Sequence, residues 1–236
     1  MKNKVIIISF IIIMVLILTG CGKVDKKNDD AIKFKEDYES LNGLTNDKDK
    51  EYRNVLIDED NPFKYIDEEE LIKKIDNKES FYVYFGSKFC PWCRSVIEKA
   101  IQVANDNGVS TIYYIDIWDD ERNEILRDKY EIDENNELKQ TIKGTDGYYE
   151  LLNRFSEVLP NYELEDQNGN NIDVGEKRIY APSFIYVKEG EARSLVDGIS
   201  SKQNGAYDEL SDEVLIEEED IFNEFFTLGN TCDEKC

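Results

Sequence analysis

Cys90 and Cys93 are the residues of this chain best placed to do chemistry, because two thiols three positions apart can form and break a disulfide. They read Cys-Pro-Trp-Cys and follow Phe81-Tyr-Val-Tyr-Phe-Gly-Ser-Lys-Phe89 directly. An apolar strand thus runs into a turn, and a helical pattern begins at once. Cys90 falls at the start of that helix, where orphan backbone N–H groups and the helix dipole stabilise a thiolate. Pro91 suits the first helical position, because no backbone donor is lost there. Cys93, deeper in the helix, stays protonated until it resolves a mixed disulfide. Cys90 is therefore read as the nucleophile and Cys93 as the resolving thiol, with no metal and no cofactor.

Other uses of such a pair fit less well. Two cysteines at this spacing are half of a zinc site, and Cys232 and Cys236 would have to supply the rest. That second pair has a different spacing and sits at the far C-terminus, and a strand–turn–helix setting is not a zinc knuckle. A purely structural disulfide over three residues closes almost no loop and stabilises little. Lys88 is a further candidate for helping the Cys90 thiolate at close range.

The elements that must position the pair follow from periodicity. Asp67 is placed to cap a helix through Leu71, Ile72 and Ile75, with Glu70 at the capping-box position. The strand Phe81–Phe85 is apolar on both faces, as a central strand should be. Val96, Ile97, Ala100, Ile101, Val103 and Ala104 mark one face of the helix after the cysteines. Val109–Ile117 is a second strand. Residues 119–160 read as a charged helical insert, surest where Tyr148, Leu151, Leu152, Phe155, Val158 and Leu159 keep helical spacing. Residues 162–174 alternate around Asn168-Gly169 as a hairpin. Phe184–Val187 and Arg193–Val196 are strands, and a last helix runs from Asp212 to Leu228, closed by Gly229. Further upstream, a short helix around Phe34–Leu41 and a strand Tyr52–Ile57 are expected. Helix-joined and turn-joined strands together predict a mixed α/β sheet.

The Cys-Pro-Trp-Cys turn between strand and helix resembles the active-site segment of thioredoxin-like domains. Ala181-Pro182-Ser183-Phe-Ile-Tyr-Val-Lys-Glu-Gly190 is similar to the segment in which that family places a cis proline before a strand, and Gly198 resembles the glycine after its last strand. The resemblance implies a thioredoxin-like mixed sheet flanked by helices, here with a helical insertion. It also implies that Pro182 faces Cys90, that the Ala181 backbone pairs with an extended substrate, and that Trp92 touches clients. The likeness covers about residues 63–228 outside the insert. Two departures stand out. Tyr84 occupies the position where thioredoxin has a buried carboxylate that takes the resolving thiol's proton. The chain also has no histidine to stabilise Cys90.

The chain's address is read from its N-terminus. Lys2 and Lys4 precede an apolar run from Val5 to Leu18, shorter than the roughly 20 residues a spanning helix needs. Such a start reads as a secretory signal. Leu18-Thr19-Gly20-Cys21 resembles the lipobox of bacterial lipoproteins, which implies a lipidated Cys21 as the first mature residue. The whole mature chain resembles thioredoxin-like lipoproteins of low-GC Gram-positive bacteria. The expected organisation is a signal peptide over 1–20, a tether and extension over 21–50, a thioredoxin-like domain over 51–228 and a cysteine-containing tail over 229–236. Within that tail Cys232 and Cys236 are candidates for a second disulfide.

With 29 Lys and Arg against 52 Asp and Glu the chain carries −23, so nucleic acid and anionic lipid surfaces are repelled. The expected function is a membrane-anchored, extracytoplasmic thiol–disulfide oxidoreductase. Its expected partners are exported proteins with thiols or disulfides, a membrane redox partner, and a lipid anchor. The alternative is a non-catalytic thioredoxin-like binding module that docks a membrane or secreted partner.

Overall fold

Phe81–Gly86 (β2) carries large apolar side chains at every position but the last, so neither of its faces tolerates water. A computed structural model, which describes residues 26–134 and 137–230, buries all six residues at the centre of a five-stranded sheet. With Phe63–Tyr65 as β1, Ile112–Asp116 as β3, Ser183–Lys188 as β8 and Glu191–Val196 as β9, the strand order is β1-β3-β2-β8-β9. The β1–β3 and β3–β2 pairs are parallel; β2–β8 and β8–β9 are antiparallel. The parallel pairs require helical crossovers, and the chain supplies them as Glu68–Asp76 (α2) and Pro91–Asp106 (α3).

Side-chain alternation along β2 divides the core in two. Tyr82 and Tyr84 point to the face covered by α3, by Lys26–Glu39 (α1) and by Asp212–Thr227 (α5), with Phe34, Val96, Ile97 and Phe222 among the buried residues. Phe81, Val83 and Phe85 point to the opposite face, where α2 and Asp146–Arg154 (α4) contribute Leu71, Ile75, Tyr148 and Leu151. This is a mixed α/β sheet flanked by helices, as the thioredoxin-like resemblance implied. Asp67 caps α2 as its sequence implied, accepting from the Glu70 N–H at 2.8 Å.

Three segments differ from the sequence expectation. Most of the insert is not helical: Lys129–Ile132 (β4) and Leu138–Ile142 (β5) form an antiparallel hairpin, and the helix is confined to α4. Along β4, exposed Lys129 and Glu131 alternate with half-buried Tyr130 and Ile132, a period of two masked by the density of charge. Thr145 starts α4 by accepting from the Tyr148 N–H at 3.0 Å, and the expected inward residues Tyr148, Leu151, Leu152 and Phe155 are all buried.

Residues 52–57 are extended with Tyr52, Val55 and Ile57 buried, yet they join no sheet. Side chains satisfy three of the backbone donors instead: Asn42 accepts from Val55, Glu98 from Leu56 and Glu39 from Ile57. Within the tether and extension expected over 21–50, the short helix expected around Phe34–Leu41 is longer and starts further upstream: α1 begins at Lys26 and buries Ala31, Phe34 and Tyr38. Phe34 stacks on Phe63 with ring centroids 4.0 Å apart. The extension is part of the core.

The hairpin of residues 162–174 is present as Asn161–Glu165 (β6) and Asn171–Lys177 (β7). Gly198 adopts φ +75°, and a Cβ there would lie 2.2 Å from the Phe222 ring, so a side chain is excluded on both counts. Gly229 lies in a short 3₁₀ turn after α5 and donates to the Tyr82 hydroxyl at 2.8 Å.

Candidate active site

The turn Ser87–Phe89 ends at Cys90, which takes an extended conformation (φ −76°, ψ 118°) and caps α3. Its N–H donates to the Ser87 carbonyl at 3.1 Å, and its sulfur accepts from the Cys93 N–H at 3.3 Å. A sulfur thus occupies the position usually taken by a serine or aspartate oxygen at a helix start. Pro91 is the first helical residue, as its lack of a donor implied.

The electrostatics of the two thiols diverge. Cys90 is drawn below the ordinary thiol value, first by the hydrogen bond from the Cys93 thiol. Burial opposes that shift, while the Cys93 and Trp92 N–H groups and the Arg127 cation add to it. Cys93 is pushed well above the ordinary value, first by burial and then by Cys90, with Tyr84 pulling the other way. One thiol is poised to ionise and its neighbour holds the proton.

Across the site the Ala181–Pro182 bond is cis, and Pro182 opens β8, the antiparallel neighbour of β2. The Cys90 thiol donates to the Ala181 carbonyl oxygen at 3.4 Å. Cys90, Cys93, Trp92, Ala181 and Pro182 are therefore brought together at the C-terminal end of β2. Trp92 is half-buried, packs on the core and borders an open groove. Cys21, Cys232 and Cys236 lie outside the described residues.

Tyr84 is fully buried beside Cys93, and its hydroxyl lies 3.0 Å from that of Tyr38 on α1. Burial holds its pKa well above the ordinary phenol value, so it keeps its proton and acts on Cys93 as a donor. Lys88 does not face Cys90: its ammonium pairs with Asp120 at 2.6 Å and lies 3.9 Å from Asp37.

Two arginines support the site without having announced themselves in the sequence. Arg94, wholly buried one residue beyond Cys93, donates to the Arg53 carbonyl, the Tyr38 carbonyl and the Asn42 amide oxygen at 2.7–2.8 Å. It ties the N-terminal extension to the active-site helix. Arg127, from the insert, is gripped at 2.8 Å by Glu124 and donates to the Ile179 carbonyl at 3.3 Å. The next residue, Asp128, accepts from Arg178 at 2.5 Å. Consecutive residues of the insert therefore hold consecutive residues of the segment that joins β7 to Ala181.

Arg127 is the cation acting on Cys90, and charge removal should be visible there. The pair Glu124→Gln with Arg127→Gln, which leaves no unpaired buried carboxylate, is expected to move the alkylation-versus-pH curve of Cys90 upward and slow its alkylation at pH 7 a few-fold. An unchanged curve would assign Arg127 to loop positioning alone. Only the folded path of the insert brings this residue to the site, so no motif could have marked it.

No protein-family model matches this chain, and no curated protein matches it. Among solved structures, that of thioredoxin O2 from Arabidopsis thaliana in its oxidized state is similar over 70% of this chain and 96% of that one, at 13% identity and a TM-score of 0.34.

Proposed function

We propose that this protein is a thiol–disulfide oxidoreductase that acts on exported proteins from a lipid anchor at Cys21, on the extracytoplasmic side of the membrane. The observation that carries the redox reading is the asymmetry of the pair. Cys90 caps α3 with its sulfur on the Cys93 N–H and 3.4 Å from the Ala181 carbonyl, while Cys93 is sealed behind it. The anchor and the location rest on the charged start, the short apolar run and Leu18-Thr19-Gly20-Cys21. Among the described residues no helix is long and apolar enough to cross a membrane.

The exchange proceeds in two displacements. The Cys90 thiolate attacks one sulfur of a client disulfide, forming the Cys90–client bond as the client S–S bond breaks and its second sulfur leaves as thiolate. Cys93 then loses its proton and attacks the Cys90 sulfur. The Cys90–Cys93 bond forms, the Cys90–client bond breaks, and the client's first sulfur leaves as a thiolate. Two electrons have passed to the client, and the two client thiolates take up protons. Run backwards, the same steps oxidise a client dithiol. A membrane redox partner of the dithiol or disulfide class restores the starting state. Once Cys90 ionises, it no longer donates to the Ala181 carbonyl, and that oxygen is free to accept from an extended client backbone.

The test is a single turnover. Pre-reduced full-length protein in detergent micelles, mixed with a protein disulfide such as insulin, is expected to release client thiols with one equivalent of Cys90–Cys93 disulfide formed. No release above that of a Cys90→Ser control, in this direction or the reverse, would overturn the proposal.

A further inference from the structure

Beside the Cys-Pro-Trp-Cys turn lies an open groove of about 750 Å³, and it ends against Pro91 and Trp92. Three segments far apart in sequence build its walls: the turn 46–50 with Tyr52, Trp118 with the insert residue Arg122, and Ala206 with Tyr207. Hydrogen bonds join them across the groove. The Asn46 amide donates to the Tyr207 hydroxyl at 2.8 Å, Arg122 pairs with Asp47 at 3.0 Å, and Arg122 also donates to the Tyr52 hydroxyl. The Arg122 guanidinium lies over the Tyr52 and Phe89 rings. The groove is therefore a built feature in which one cation is fixed in place.

Its charge is opposite to that of the molecule. The chain carries −23, yet this groove is lined by Lys48, Lys50 and Arg122 against the one carboxylate of Asp47. Neither Lys48 nor Lys50 has a side-chain partner among the described residues, whereas Asp47 is committed to Arg122. None of the neighbouring acids Asp49, Glu51, Asp119, Asp120 and Asp208 lines the groove. Asp120 pairs with Lys88, and Asp119 accepts from the Asn123 side chain and from the Glu121 and Asn123 backbones. In a strongly acidic protein, a cationic concavity focuses attraction for anionic groups at that place and repels them elsewhere.

We propose that this groove receives an extended acidic stretch of the client next to the cysteine that Cys90 engages, its carboxylates meeting Lys48 and Lys50 and its apolar side chains lying on the aromatic walls. The proposal rests on the thiol–disulfide exchange reading, because the groove opens onto Trp92, within the active-site turn. It makes the charge beside the cysteine a determinant of which clients react.

The experiment uses pre-reduced full-length protein and three peptide disulfides, flanked by Asp and Glu, by neutral residues, or by Lys. At low salt the acidic peptide is expected to react about tenfold faster than the basic one, with the preference fading at high salt. The variant Lys48→Glu with Lys50→Glu should reverse the order, and Lys48→Gln with Lys50→Gln should abolish it should the charge-reversed chain fail to fold. Equal rates for the acidic and basic peptides, alongside normal turnover of the neutral one, would overturn the groove proposal and leave the exchange reading intact. If no disulfide reacts, the exchange reading fails, and binding of serine-for-cysteine peptides, followed by tryptophan fluorescence, decides the groove separately. Tighter binding of the acidic peptide supports the groove, and equal binding sinks it.

Discussion

Cys93→Ser protein is expected to attack a client disulfide at nearly the normal rate and then to stop, accumulating a stable mixed disulfide through Cys90. The first displacement needs only the Cys90 thiolate, held by the Cys93 and Trp92 N–H groups, and a serine hydroxyl can replace the Cys93 thiol as donor to that sulfur. Among the described residues the second displacement has no other nucleophile beside it, since Cys93 is wholly buried and its neighbour Tyr84 is a protonated phenol. Non-reducing electrophoresis should show about one client per protein. Cys90→Ser should form no adduct, with exchange falling on the order of 10³-fold or more, as expected when a nucleophile is lost. An adduct through Cys93 in the Cys90→Ser protein would reverse the two roles.

The second large effect concerns stability. Glu218, on α5, is wholly buried, and neither carboxylate oxygen has a hydrogen-bond partner. Burial pushes its pKa up to about 7, against the pull of Arg53 and Lys99, from an ordinary value of 4.5. Below pH 4.5 the acid is protonated in both folded and unfolded chains and costs nothing. Between pH 4.5 and 7 the unfolded chain ionises freely while the folded chain resists, so stability falls as pH rises. Above pH 7 the full penalty is present, about 3 kcal/mol for a shift of this size. Glu218→Gln should therefore be more stable than the natural chain by about that amount at pH 8, with the gain gone near pH 4.5. Urea unfolding at the two pH values checks it. A difference independent of pH would mean that Glu218 titrates in the folded chain as it does in the unfolded one, as it would in a hydrated site.

Much of the site was legible before any coordinates. Cys90, Pro91 and Cys93 sit where an apolar strand meets an amphipathic helix, and that junction is local, written in periodicity and a turn. The two strands after Pro182 and the hairpin around Asn168-Gly169 were equally plain, because alternation and turn residues report on their own segment. Features settled by long-range contacts were not. Residues 52–57 have a strand's pattern but lend their backbone donors to Asn42, Glu98 and Glu39. The hairpin β4–β5 hides its alternation under charge. β1, only three residues long, has too little pattern to register, and its place is set by pairing with β3. Nothing in the sequence marks Arg94 and Arg127, since their burial among carbonyl acceptors depends on segments 41 to 56 residues away. Lys88, nearest to Cys90 in sequence, turned out to face Asp120.

The account depends most on Cys90 being the thiol that ionises and Cys93 the one that does not. Pre-reduced protein should be titrated with an alkylating reagent across pH, with the modified residue identified by mass spectrometry. The account predicts that Cys90 is alkylated first, with a midpoint below the value of about 8.5 for a free thiol, and that Cys93 stays unmodified while the protein is folded. A midpoint at or above that value, or Cys93 reacting first, would contradict it and leave the pair as part of a scaffold.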